Sequence, residues 1–297
     1  MKKDLKPFVK WVGGKRQLLK EISKYLPKSY NKYFEPFLGA GAVFLHLQPS
    51  KAVVNDMNEE LINAYEVIQN DVDNLIDELK KHESNNTKEY YYDIRQWDRD
   101  ETKFNNLSDV KKAARFIYMN RVGYNGLYRV NRNGQFNVPY GRYKNPKIAD
   151  EVLLRNLSKY LNNNNVTILS EDFEEAVKDV SSGDLVYFDP PYDPINVTSS
   201  FTQYQKDGFG KEEQKRLKLC SDALVRKGAK VILSNSNTQF IKDLYNNKID
   251  FVKSEVGYYF ISLVDARRSV NSKANKRGKI KEVLIISRDG DNEKNNS

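Results

Sequence analysis

The chain has 297 residues, 39% hydrophobic, 12% aromatic and 30% charged. That is enough apolar material for a core, which argues against wholesale disorder, and the length suits one large α/β domain, or one domain carrying a smaller insertion. Its 49 basic against 40 acidic residues leave a formal net charge of +9, which favours a polyanionic partner and serves solubility equally well.

Residues 33–56 read as strand, turn, helix and strand, a βαβ opening. Tyr33-Phe34-Glu35 leads into Pro36-Phe37-Leu38-Gly39-Ala40-Gly41, residues 42–47 have helical character, and Ala52-Val53-Val54 is a short buried strand ending at Asn55-Asp56. Over 59–82, Leu61, Ile62, Tyr65, Ile68, Leu75, Ile76 and Leu79 keep near-helical spacing and predict one long helix. Residues 84–106 are polar, Tyr-rich and read as irregular. Residues 108–121 predict a helix with Ser108 as its N-cap. Between 122 and 147, glycines and prolines stand among Tyr, Arg and Asn, and Asn133-Gly134 is a hairpin turn signal. Strands return at 166–169, 184–188, 230–234 and 283–286, with a helix over 211–227. This alternation predicts an α/β fold, a Rossmann-like mostly parallel sheet with helices on both faces. The break in the alternation divides the chain into a catalytic domain, 1–59 with 150–297, and an inserted, mainly helical domain, 60–149.

Three motifs carry chemistry. In Phe37-Leu38-Gly39-Ala40-Gly41-Ala42, glycines after a strand allow a tight turn and close approach of a ligand to the backbone. Asp56, at the end of the next strand, can accept hydrogen bonds from ribose hydroxyls. Phe44 occupies the place where a dinucleotide fingerprint wants a small residue, so the pattern suits adenosine better than NAD. The plain alternative is a tight turn without a ligand.

Asp189-Pro190-Pro191-Tyr192 directly follows an apolar strand. Two prolines cannot continue a central ladder and turn the chain out at the carboxyl end, where open α/β sheets bind ligands. Asp189 can accept one N–H of a planar amine and the Pro190 carbonyl a second, while Tyr192 offers a face for a base. The alternative is a Pro-rich turn capped by an aspartate.

Lys10-Trp11-Val12-Gly13-Gly14-Lys15 places two glycines before a lysine. A P-loop reading fails, because Arg16 replaces the required Ser or Thr. Contact with an anionic group and a simple helix-start turn stay open on these residues alone.

The three motifs, in this order, resemble the Dam family of DNA adenine N6-methyltransferases, in particular the Dpn type that acts on GATC. Glu35-Pro36-Phe37, Asn55-Asp56, the run from Gly123 to Lys144, Ser234-Asn235-Ser236, Asn271-Ser272-Lys273 and Arg277-Gly278-Lys279 resemble family segments as well. The resemblance covers roughly residues 7 to 287. It implies S-adenosylmethionine as cofactor and GATC-containing double-stranded DNA as substrate. By it, Trp11, Gly13, Gly14, Lys15 and the turn of Phe37, Gly39 and Gly41 hold the methionine half of the cofactor. Asp56 matches the ribose-binding acid, Asp172-Phe173 the segment beside the adenine, and Asp189, Pro190, Pro191 and Tyr192 the catalytic tetrapeptide. Tyr124-Asn125-Gly126-Leu127-Tyr128-Arg129 resembles the hairpin that enters DNA. There Arg129 and Lys10 match guanine readers, Leu127 and Pro139 contact the thymine step, and Tyr124 inserts beside the flipped base. Asn131, Asn137 and Arg142 resemble phosphate contacts. Tyr128 and Val130 stand where members of the family vary.

The residues themselves agree with this chemistry. Arg fits the O6/N7 edge of guanine bidentately, although a solvated basic hairpin has the same composition. Cys220 is the only cysteine, and His46 and His82 are the only histidines. Covalent thiol or imidazole catalysis is therefore a poor fit, and no metal is called for. Rival readings are transfer to cytosine N4, an RNA base or a protein amide, a DNA-binding protein without activity, and an NAD oxidoreductase. The first residues lack an apolar h-region and no apolar run reaches membrane-spanning length, so a reducing cytoplasm is the expected compartment.

Overall fold

The computed structural model describes residues 5–195, 208–246, 249–250, 256–267 and 279–288. Its strands are β1 (Tyr33–Glu35), β2 (Lys51–Asn55), β3 (Asn165–Leu169), β4 (Leu185–Phe188), β5 (Lys230–Ser236), β6 (Ile249–Asp250), β7 (Val256–Arg267) and β8 (Lys279–Arg288). The chain forms two compact units. One gathers residues from 1–16, 38–50 and 55–171, and the other residues from 17–37, 51–54 and 172–297.

The second unit holds the sheet, with strand order β2-β1-β4-β5-β8-β7-β6. β2, β1, β4 and β5 are parallel, and β8, β7 and β6 continue the sheet antiparallel. The parallel strands are short and apolar: Leu185, Val186 and Phe188 of β4, and Val231, Ile232 and Leu233 of β5, have no accessible surface. Strands covered on both faces read as continuous hydrophobic runs in this way. Helix Lys211–Arg226 packs on β5 and buries Leu217, Leu224 and Val225. A mostly parallel, Rossmann-like sheet is therefore the observed architecture. The long strand β7 had no counterpart among the sequence expectations, and β8 begins four residues before the apolar run that announces it.

The first unit is helical, with β3 as its strand. Where the apolar spacing predicts one helix over 59–82, the structure has two, Glu59–Asn70 and Val72–Ser84. They break at Asp71 (φ −148°, ψ 52°), whose carboxylate accepts hydrogen bonds from the Asn74 amide. A short acidic side chain with a local partner competes with helix continuation. The stretch 84–106, expected to be irregular, carries helices Lys88–Arg95 and Glu101–Asn105. Both are capped, the Thr87 hydroxyl accepting from Tyr90 N and Asp100 from Lys103 N. Caps of this type satisfy first-turn donors that the apolar pattern does not report. Helix Asp109–Val122 begins at its expected cap Ser108. Segments Asn271–Lys273 and 277–278 lie outside the described residues. Among the described residues no helix is long and apolar enough to cross a membrane.

His82 is buried among aromatic residues. Its ring stacks on Tyr118 at 4.8 Å and 16°, and its Nδ1 lies 2.8 Å from the Tyr90 hydroxyl. Burial depresses the imidazole pKa from 6.5 to about 4. The unfolded chain therefore takes up a proton that the folded chain refuses, and stability is lost as pH falls from 6.5 toward 4. Urea unfolding should show this loss in the parent, and His82→Phe should lessen it. An equal loss in the variant would assign the acid sensitivity to other groups.

Candidate cofactor, catalytic and DNA-binding residues

In the first unit the turn after β1 is built for close approach. Gly39 and Gly41 adopt φ of 49° and 68°, left-handed backbone that side chains disfavour. A Cβ at Gly39 would stand 2.9 Å from Cδ1 of the Trp11 indole. Gly39 N donates to Asp56 Oδ2 at 2.7 Å, and Asn58 N to Asp56 Oδ1 at 3.0 Å. Burial raises the Asp56 pKa, and these two backbone donors oppose the rise. A carboxylate has about four lone-pair sites, so each Asp56 oxygen keeps acceptor capacity for a diol. The end of β2 is fixed by two hydrogen bonds between the Asn55 side chain and the Glu171 backbone. Lys15 is buried, and its ammonium donates to Gly13 O at 2.6 Å.

The second unit contributes an aromatic cluster. Phe37 lies 5.5 Å from Phe173, with a 31° tilt, and 5.5 Å from Phe209, edge to face. Arg216 covers Phe173 from 4.5 Å and is ion-paired with Asp172, Glu174 and Glu213. The Asp172 carboxylate caps helix Phe173–Ala176 by accepting from Glu174 N. Within the first unit, a half-buried carboxylate beside left-handed glycines is a donor set that suits a ribose diol.

Asp189-Pro190-Pro191-Tyr192 leaves the carboxyl end of β4. Ser234 of β5 donates to Asp189 Oδ1 at 3.4 Å, and the Tyr187 hydroxyl lies 2.5 Å from Ser234 Oγ. The Pro191 carbonyl accepts from Gln214 Nε2 at 2.8 Å. Asn235 Oδ1 accepts from Asp193 N at 3.1 Å, and Asn235 Nδ2 donates to Gln214. The main chain is thus clamped on both sides of Tyr192. The Tyr192 hydroxyl donates to Glu282 Oε2 at 2.9 Å. Burial, with the nearby carboxylates of Asp189 and Glu282, drives the phenol pKa well above 10, so the hydroxyl keeps its proton.

The sequence between Gly123 and Tyr140 folds back on itself through bridges Gly123↔Tyr140 and Val130↔Phe136. Asn131 closes its tip: its Oδ1 accepts from Asn133 N and Gln135 N, and its amide donates to the Gln135 side chain. The predicted phosphate contact is thus also the residue that shapes the turn. Asn137 has a partner too, since Arg129 Nε donates to Asn137 Oδ1 at 2.6 Å and Nη2 to Asn137 O at 3.1 Å. Asn125 and Arg142 adopt φ of 57° and 54°. Tyr124 is 52% exposed, a large apolar surface for an unoccupied aromatic ring. Its N–H bonds to the carbonyl of exposed Pro139, and Leu127 is half-buried beside it in the chain.

Two buried residues outside the predicted set hold this hairpin. Arg115, 1% exposed, pairs with Asp98 at 2.7 Å, and Asp98 accepts from Phe136 N at 2.7 Å. The Asn120 side chain bonds both the N–H and the carbonyl of Lys10, and donates to Gly126 O. The Lys10 ammonium stands 5.2 Å over the Tyr143 ring. Arg115 and Asn120 lie on a helix whose apolar pattern does not distinguish them from solvated residues, so the sequence carried no signal for them. Ser234 and Asn235 had one, since their segment resembles the family.

A mostly parallel sheet with Asp-Pro-Pro-Tyr at the carboxyl end of β4, where open α/β sheets bind ligands, suits a cofactor-dependent transferase. Comparison with known proteins specifies which one: residues 11–259 match the D12 class N6 adenine-specific DNA methyltransferases, and the chain belongs to that family. It is 49% identical over 282 residues to the type II methyltransferase M1.LlaDCHI of Lactococcus lactis subsp. cremoris, covering 95% of each chain. It is 44% identical to the type II methyltransferase M.MjaIII of Methanocaldococcus jannaschii, covering 95% of this chain and 99% of the relative. With the DNA adenine methylase of Escherichia coli strain K12 it shares 34% over 98% of each chain. It is an S-adenosylmethionine-dependent enzyme that methylates adenine in DNA.

Proposed function

We propose that the enzyme methylates adenine N6 within GATC in double-stranded DNA, after turning the base out of the helix, and that it works in the cytoplasm. The observation that carries the chemistry is Asp189-Pro190-Pro191-Tyr192 at the carboxyl end of β4, with Asp189 bonded by Ser234. The lone pair of an adenine amine is delocalised into the ring, which makes the nitrogen a poor nucleophile. Asp189 accepts one N6–H and the Pro190 carbonyl the other, drawing the nitrogen toward tetrahedral geometry. Bound S-adenosylmethionine supplies the electrophilic methyl carbon. Tyr192 stacks on the base, which has left a base pair at a cost of a few kcal/mol.

The cofactor roles are these: Asp56 holds the ribose hydroxyls, Asp172 and Phe173 flank the adenine, and Trp11, Gly13, Gly14, Lys15, Phe37, Gly39 and Gly41 serve the methionine half. Residues 60–149 with Lys10 form the target-reading part. There Arg129 and Lys10 read guanines, Leu127 and Pro139 meet the thymine step, Tyr124 enters beside the flipped base, and Asn125, Asn131, Asn137 and Arg142 serve the hairpin and the phosphates. The likeness of the run from Gly123 to Lys144 to a GATC reader, and the side-on hold of Asn137 on Arg129, support this specificity over transfer to cytosine or RNA.

DNA from cells expressing the enzyme tests the reading. It should resist nucleases blocked by adenine methylation in GATC and be cut by those that require it. Methylated adenine found only in other sequences would leave the family intact and remove the GATC assignment.

A further inference from the structure

Every backbone group beside Tyr192 that carries a described partner is held by a residue of helix Lys211–Arg226 or of β5. The Tyr192 hydroxyl is hydrogen-bonded to Ser234 of β5 and, from a different strand, to Glu282. Glu282 lies on β8, opposite Ser236 of β5 in the antiparallel ladder. That register brings a half-buried carboxylate to the Tyr192 hydroxyl at 2.9 Å. A lone glutamate in Lys281-Glu282-Val283-Leu284-Ile285 reads in the sequence as the polar edge of a strand, with no catalytic pattern around it.

We propose that Glu282 is a positioning residue for methyl transfer, fixing the pitch of the Tyr192 ring on which the target adenine stacks. A phenol hydrogen-bonded at its tip and clamped in its main chain is restricted in both rotation and tilt. A stacked base then meets a preset plane, and its amine arrives at Asp189 without a search over ring positions. The carboxylate is suited to this, because hydrogen bonds to ionised acceptors are shorter and about twice as strong as neutral ones. The proposal rests on reading Asp189 to Tyr192 as the catalytic tetrapeptide.

The test is single-turnover methyl transfer on a GATC duplex, with cofactor and duplex affinities measured separately. Glu282→Ala should slow transfer about tenfold, the effect of losing one hydrogen bond to a charged group, with cofactor affinity unchanged. Glu282→Gln, whose amide oxygen still accepts, should recover most of the rate. The deciding measurement is a double-mutant cycle. In a Tyr192→Phe background Glu282→Ala should slow nothing further, because the bond it removes is already gone. A parental rate in folded Glu282→Ala, or the same slowing with Phe at 192 as with Tyr, overturns the proposal. If Glu282→Ala does not fold, the cycle is run with Glu282→Met, which removes the acceptor while keeping the side chain's length, and decides in the same way. Asp189→Ala run alongside separates the two readings: if it retains transfer, the tetrapeptide assignment fails, whereas its collapse with Glu282→Ala unaffected removes Glu282 alone.

Discussion

Asp189→Ala is expected to abolish most methyl transfer while leaving the fold and cofactor binding largely intact. Asp189 sits where β4 ends and receives a hydrogen bond from Ser234. Its proposed work is to accept one N–H of the target amine as positive charge develops on the nitrogen. Removing one preorganised bond of this kind costs about 2.7–4 kcal/mol, or roughly 10²–10³ in rate. Misplacement of the amine adds to that loss. Tyr192→Ala should also slow transfer, by the ~1–3 kcal/mol that stacking of one base contributes. Single-turnover transfer on a GATC duplex measures both. A folded Asp189→Ala enzyme working near the parental rate would remove the catalytic assignment, whatever its affinity for DNA.

Arg129→Ala is expected to relax recognition at one guanine, losing ~1–3 kcal/mol of discrimination. Asn137 holds the Arg129 guanidinium by its Nε and Nη2 side. Nη1 and the second hydrogen of Nη2 are not used in that clamp, and together they have the spacing to meet guanine O6 and N7. Holding the fork in advance reduces the side-chain ordering that binding would otherwise require. Asn137→Ala should therefore weaken discrimination at the same base pair, more mildly. Arg142→Ala should lower affinity for all duplexes alike and reduce the salt dependence by about one phosphate contact. Methylation rates on GATC and on duplexes altered at each guanine check this. If Arg129→Ala still methylates GATC alone at the parental rate, the reader lies elsewhere.

Much of the fold was legible because its signals are local. An apolar run bounded by turn residues locates β4 and β5, Ser108 starts its helix, and Gly39, Gly41 and Asp56 stand after two adjacent strands. The tetrapeptide is legible for the same reason, since two prolines after a strand fix the exit of the chain. The helix break at Asp71 and the helices over 88–105 were missed, because each turns on one polar side chain that the apolar spacing ignores. β7 alternates too weakly to stand out without its partner, and gains its length from pairing with β8.

The sequence by itself determined which residues the proposed chemistry draws on: the Asp-Pro-Pro-Tyr turn, the glycine turn with Asp56, and the arginine hairpin, in one order along the chain. The tertiary structure decided what holds them. Asn120 pins Lys10 to Gly126 across 110 and 6 residues of chain respectively. Arg115 and Asp98 anchor the hairpin at Phe136, and Ser234 and Glu282 reach Asp189 and Tyr192 from strands far along the chain. Such partners are joined by burial, where an unmade hydrogen bond is costly and a made one is specific to a single geometry. Nothing in the spacing of residues along a chain records which distant side chain will make that bond.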